Sequence, residues 1–323
     1  MTRYFVTGHK DMIGSAILRR LEQDRRDGAP RDILVRDEDK LDLTDQAAVN
    51  AFFHEERPDV VILAAARTGG ILANATFPAA FIHDNLVIAA NVIHAAHKTG
   101  VQGLLYCGAS KIYPRFAQQP IRETALLTGT LDPSNEPDAI AAIAAIKLCE
   151  SYNRQHGRDY RSVIPCGLYG PGDNFDPETA GVIPALIRRF HDGVQSGASD
   201  VTIWGTGTPR REFLHVNDMA IAALYILDLP LAIYKANTRP MLSQINIGSG
   251  REVSVRQLAG MIAQVTGFRG RILTDPEKPD GAPRRLLDCS LLTAMGWRPR
   301  IALEQGLDAT YRWFLDHKRT ARA

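Results

Sequence analysis

Short apolar runs alternate with longer stretches of helical periodicity through the first half of the chain. "RYFVTG" reads as a strand ending in glycine, and "MIGSAILRRLEQDRR" after it as a helix. "DILVR" is a second strand, "DQAAVNAFFHEER" a helix, and "DVVILAAA" a third strand apolar enough to be buried on both faces. "PAAFIHDNLVIAANVIHAAHKTG" predicts a long helix closed by Gly100, and "GLLYCGAS" a fourth strand. A helix in "SNEPDAIAAIAAIKLCESYN" then leads into "RSVIPCGLYGPG". Strands and helices alternating at these lengths predict an α/β fold, a doubly wound parallel sheet of Rossmann type.

The pattern loosens after about residue 170. There "GVIPALIRRFHDGVQ" and "VRQLAGMIAQVTG" look helical and "VTIWGTG" strand-like. The expected division is a dinucleotide-binding-type domain over 1–168. A smaller α/β substrate domain spans 169–323, with some segments returning to the first. Ligands in such folds bind beyond the carboxyl ends of the strands.

At 323 residues and 45% hydrophobic content, the chain can bury a large core. A net charge of +2 and scattered basic residues give no reason to expect nucleic acid, and "LRRLEQDRRD" reads as a solvated helix face. Cys107, Cys149, Cys166 and Cys289 stand far apart, so no metal site is expected. The N-terminus enters a strand at once, and no apolar run approaches ~18 residues. A cytoplasmic protein with no signal peptide and no membrane partner is the expectation.

"VTGHKDMIG" joins the first strand to the first helix. Gly8 and Gly14 fit the outer glycines of a G-x-x-G-x-x-G loop, but Asp11 holds the middle place. Such a loop lets a pyrophosphate rest on the helix N-terminus. A carboxylate about 4 Å from a phosphate charge costs about 4 kcal/mol at an effective dielectric of ~20. The same acid in a first helical turn stabilises by about 0.3–1 kcal/mol. Asp11 therefore suits the helix and opposes a dinucleotide. Arg36, at the end of the second strand, is where a 2′-phosphate would be met, although Asp37 and Glu38 blunt its field.

Nearly the whole chain resembles GDP-L-fucose synthase, an NADP-dependent epimerase/reductase of the extended short-chain dehydrogenase/reductase class. The motifs include "GHKDMIGSAI", "GASKIYP", "SNEPDAIAAIAAIKLCESYNRQHGRDYRSV", "LYGPGDNFDPET", "WGTGTPRREFLHVND" and "KPDGAPRRLLD". The resemblance implies epimerisation of GDP-4-keto-6-deoxy-mannose at two carbons beside its ketone, then reduction of that ketone by NADPH. It implies a Tyr and Lys pair and a Ser for reduction, and a Cys and His for epimerisation. It also implies a homodimer.

At the matching positions this chain departs from the family. Asp138 stands for the Tyr, Ala142 for the Lys, Ala109 for the Ser, Lys111 for the Cys and Gly181 for the His. Gly167 replaces an Asn beside them. None of the nine tyrosines is followed by Lys four residues later. On a strand, Ser110 would face away from Ala109's side. Asp138 favours a helix N-terminus and Ala142 a helix body. The replacements predict an inactive homologue with impaired NADP binding, in which no cofactor binds tightly and NADP(H) binds only if the family's site survives.

The positions resembling GDP-sugar contacts are better kept: Arg189, Trp204, Arg211 and Asp280 match, and Arg285 stands for a Lys. Two arginines can clamp a diphosphate and a Trp can cover a sugar or base. They predict weak binding of GDP or a GDP-sugar. The rival expectations are an active enzyme using unconventional residues, and an interaction protein with no ligand.

Overall fold

In the computed structural model, which describes residues 1–69, 71–177, 179–278 and 280–317, the alternating half of the chain forms one sheet. Its strands are β1 (Thr2–Val6), β2 (Arg31–Leu34), β3 (Val60–Leu63), β4 (Gly103–Cys107) and β5 (Asp159–Pro165). β6 (Gly167–Tyr169), β7 (Asp200–Trp204) and β8 (Arg210–His215) lie elsewhere, and β9 (Ile245–Ile247) returns to this sheet. The order is β2-β1-β3-β4-β5-β9, with every neighbour parallel. The winding direction switches between β1 and β3, which opens a crevice at their carboxyl ends.

Helices cover both faces. α1 (Met12–Arg26) packs with α7 (Val216–Asp228) on one side. α2 (Gln46–Glu56), α4 (Pro78–Lys98) and α5 (Glu136–His156) pack on the other, with short α3 (Ile71–Thr76) ahead of α4. Two apolar cores follow, one including Val6, Ile17, Leu105 and Met219, the other Phe5, Phe53, Val92 and Tyr160. Phe5 and Val6 belong to different cores because successive strand residues face opposite sides.

α4 corrects one expectation. Over its 21 residues it is long and apolar enough, by length and composition, to cross a membrane. Here it is a core helix: Phe81, Ala89, Val92, Ile93 and Ala96 are buried, and it packs on α2 and α5. α5 begins with Asn135 as N-cap and Pro137 in its first turn. Alanines at 139, 141, 142 and 145 are buried, and small side chains let α5 approach closely.

A third core joins α6 (Val182–Ser196), α9 (Val255–Thr266) and α11 (Leu303–His317) through Ile187, Phe190, Leu258 and Phe314. β8 is the centre of a small sheet with β10 (Glu252–Ser254), β12 (Arg284–Arg285) and β6, while β11 (Arg271–Asp275) pairs with β7. α8 (Leu231–Asn237) and α10 (Ser290–Ala294) complete the described α-helices.

Arg161 on β5 is fully buried between these layers. It pairs with Asp159 at 2.6 Å, donates to the Ile226 carbonyl and lies 4.7 Å from the centre of the Tyr234 ring. Arg161→Ala removes a buried charge partner and its packing at once, and is expected to cost about 3 kcal/mol. Urea unfolding checks this: the midpoint should drop well below that of the unmodified chain.

Candidate functional site

The crevice between β1 and β3 holds a cavity of about 330 Å³ lined by Thr7, Gly8, His9, Lys10, Asp11, Arg36, Ala65, Ala66 and Arg67 among others. Thr7 Oγ1 accepts from the backbone N–H groups of Ala64 and Ala65, both at 3.0 Å, and so ties the two strand ends together. Gly8 has φ +64°, and a Cβ there would lie 2.9 Å from the Ala65 backbone. A Cβ at Gly14 would lie 2.1 Å from the Gly8 carbonyl oxygen. The loop therefore lies directly on the first turn of α1, a cradle that admits only glycine at these two places. This geometry fits a dinucleotide.

Asp11 sits differently from the expectation. It is the N-cap of α1 in extended conformation, its side chain makes no capping hydrogen bond, and the helix starts at Met12. Lys10, Arg36 and Arg67 line the same cavity, so the acid is set among cations. Each cation has an internal partner: Lys10 with Asp37 at 2.7 Å, Arg67 with Asp84 at 2.9 Å, and Arg36 with Glu56. Arg36 also lies over the Phe52 ring.

Past β4, the chain does not continue as the strand expected for "GLLYCGAS". The strand ends at Cys107, and Ser110–Ile112 form a 3-10 turn with the still extended Ala109 as its N-cap. Strand alternation thus does not govern Ser110, which lines a second cavity of about 270 Å³ with Gly167, Asp173, Gly181, Arg211 and Arg285. Next in the turn, Lys111 places its ammonium on the carboxylate of Asp138, which is buried in the first turn of α5. Asn85 of α4 donates to the other Asp138 oxygen at 3.0 Å. Burial lowers the Lys111 ammonium to about 8, while the adjoining carboxylate favours its charged form.

Asp138 is therefore more than a helix-stabilising replacement. Two positions that read singly as losses meet as one ion pair. Ala142 is buried on the same helix face, within the core. Gly181 is the N-cap of α6, and the nearest atom to a Cβ there would be 3.9 Å away.

The candidate substrate residues fall into two groups. Arg211 and Arg285 are adjacent in the β8–β12 register, and burial lowers both guanidiniums, with the charge of Arg285 lowering Arg211 further. Two like charges in register favour an anion between them. Arg189 and Trp204 meet on a separate open shelf, the guanidinium 5.5 Å from the ring centre. Asp280 borders the first group: it accepts from Thr206 N at 3.0 Å, and its charge acts on Arg211.

Sequence reasoning missed Asn85 and Asp173. A polar residue on the apolar face of α4 was the available signal for Asn85; for Asp173 it was its place in the motif "LYGPGDNFDPET".

The NAD dependent epimerase/dehydratase family model matches residues 4–248. The chain is 54% identical over 316 residues to the GDP-L-fucose synthase of Escherichia coli (strain K12), covering 98% of this chain and 97% of that one. It is 50% identical to GDP-L-fucose synthase 1 of Arabidopsis thaliana, covering 97% and 93%. A solved GDP-L-fucose synthetase from Naegleria fowleri bound to NADP superposes with a TM-score of 0.88 at 25% identity, covering all of this chain and 96% of that one.

These likenesses overturn the expectation of an inactive homologue with lost catalytic residues. Relatives named as synthases match across almost the full length. The physical reason the expectation failed is that it weighed each replaced position alone, whereas Lys111 and Asp138 rebuild a charged group together.

The pair sets a stability test. Lys111→Met strands a buried carboxylate and is expected to cost about 3–5 kcal/mol. Adding Asp138→Leu should recover much of that loss. A denaturant double-mutant cycle reads the coupling, and strictly additive costs would mean that the two groups act independently.

Proposed function

This chain belongs to the NAD dependent epimerase/dehydratase family, and we propose that it is an NADPH-dependent epimerase/reductase converting GDP-4-keto-6-deoxy-mannose to GDP-L-fucose. The likeness to synthases over nearly the whole chain supports the substrate and the reaction. The observation that carries the reading of the site is the Lys111–Asp138 pair.

The crevice at β1 and β3 holds the dinucleotide in this reading. Gly8 and Gly14 allow its pyrophosphate to approach the start of α1. Arg36 meets the 2′-phosphate once its guanidinium is shared with Glu56. When bound, NADPH supplies hydride to the sugar ketone. Lys111 then donates a proton to the oxygen on which negative charge develops, and Asp138 holds the ammonium in place. A free lysine titrates near ~10.4, so lowering to about 8 makes this a better donor at neutral pH. The Ser110 hydroxyl hydrogen-bonds the ketone oxygen from the cavity wall. Arg211 and Arg285 take the diphosphate, whose charges relieve the repulsion between them.

Loss of NADPH absorbance with this sugar tests the reading. Lys111→Met should lower kcat by about 10²–10⁴-fold, the usual worth of a positioned proton donor. In the unmodified chain kcat should fall as pH rises through about 8, because the neutral amine has no proton to give. That limb should vanish in Lys111→Met. Unmodified protein that consumes no NADPH with this sugar contradicts the reading.

A second measurement concerns the cofactor. Arg36→Ala should raise KM for NADPH about 10–100-fold and leave KM for NADH nearly unchanged, given about 1.5–3 kcal/mol for a hydrogen bond to a charged group. Equal changes for both cofactors would remove Arg36 from the 2′-phosphate.

A further inference from the structure

The turn after β6 carries a carboxyl group that the reduction does not use. Gly170, Pro171 and Gly172 bring Asp173 to the edge of the cavity shared by Ser110, Gly181, Arg211 and Arg285. Gly172 lies against the N-terminus of α1, where a Cβ would be 3.4 Å from Met12 Cα, so this edge is also the side nearest the dinucleotide crevice. Asp173 Oδ1 accepts from the Asn174 N–H at 2.8 Å. Its Oδ2 is buried and has no hydrogen-bond partner among the described residues. An unpartnered buried carboxyl oxygen is costly, and such groups mark functional sites more often than chance. Gly181 lines the same cavity without a side chain, and a Cβ there would only touch Pro184 at 3.9 Å.

Resting on the epimerase/reductase reading of this same site, we propose that Asp173 is the base that removes the proton from the sugar carbon beside the ketone during epimerisation. The Asp173 carboxylate takes that proton, the C–H bond breaks, and its electron pair becomes the enolate. The enolate carbon then receives a proton on its other face from the Lys111 ammonium. Asp173 releases its proton to water and Lys111 regains one, so no electrons are gained or lost. A second round inverts the second carbon.

Burial pushes the Asp173 carboxyl up to about 7, which suits a base working near neutrality. The other charged and titratable groups on the same cavity wall are Cys166, Arg211, Glu212 and Arg285, and burial holds the Cys166 thiol protonated. His215 lies behind Gly170, where a Cβ would be 3.3 Å from its Nε2. Glu212 already accepts backbone N–H groups from Gly250 and Leu287, which occupies both its oxygens.

Deuterium exchange separates this step from reduction. In D₂O without NADPH, the unmodified protein should wash deuterium into GDP-4-keto-6-deoxy-mannose beside the ketone. Asp173→Asn should slow this at least 100-fold, and Asp173→Glu should restore part of it. Wash-in by Asp173→Asn within threefold of the unmodified rate overturns the proposal. A readout that needs no variant is the pH profile: wash-in should rise with pH through a midpoint near 7. A rate flat between pH 5 and about 7.5 overturns the proposal as well. Unmodified protein that consumes NADPH but exchanges no deuterium removes Asp173 and leaves the reductase standing. Protein that does neither removes the whole reading of the site.

Discussion

A carboxylate buried as deeply as Asp138 cannot remain charged without partners, and the arrangement of this cleft follows from how it finds them. Lys111 comes from the turn after β4 and Asn85 from α4, while Asp138 itself opens α5. Asn85 also accepts from the Arg67 N–H at 2.7 Å and donates to the Arg67 carbonyl, which ties in the segment after β3. One charge thus pins the carboxyl ends of two neighbouring strands and the N-terminal turn of a helix. Desolvating such an ion pair is costly, so its contribution lies more in specificity of arrangement than in net stability.

That pinning fixes the Lys111 ammonium next to Ser110, which lines one of two cavities of different character. On one side, the switch in strand order opens the glycine-lined crevice over α1. On the other, β8 and β12 present Arg211 and Arg285 side by side. A dinucleotide at the first and a diphosphate at the second would bring their reactive ends toward the Ser110–Lys111 turn. The unpartnered Asp173 oxygen borders the same space.

The first half of the fold was legible because a sheet covered on both faces produces continuous apolar runs, and the helices between them are long. The second half was not, since β6, β9, β10 and β12 have two or three residues each, too short for any period to show. The return of β9 to the large sheet is a matter of long-range packing. Within the site, the glycine loop was readable from a local motif, as were Arg211 and Arg285 one at a time, though not their adjacency across β8 and β12. The Lys111–Asp138 pair was not, because its members are 27 residues apart and each reads alone as a loss. Ser110 was misjudged for a local reason: β4 ends at Cys107, three residues before the end of the expected strand, so alternation stops applying.

The chemistry of this cleft turns on whether hydride reaches the sugar beside Lys111 and Asp138. The most direct measurement is a single turnover of the unmodified protein with NADPH carrying deuterium as the transferable hydrogen, followed by mass and NMR analysis of the nucleotide-sugar. Deuterium bonded to C4 of GDP-L-fucose is the predicted result. Deuterium retained wholly on the nicotinamide, with the keto-sugar unchanged, would contradict it.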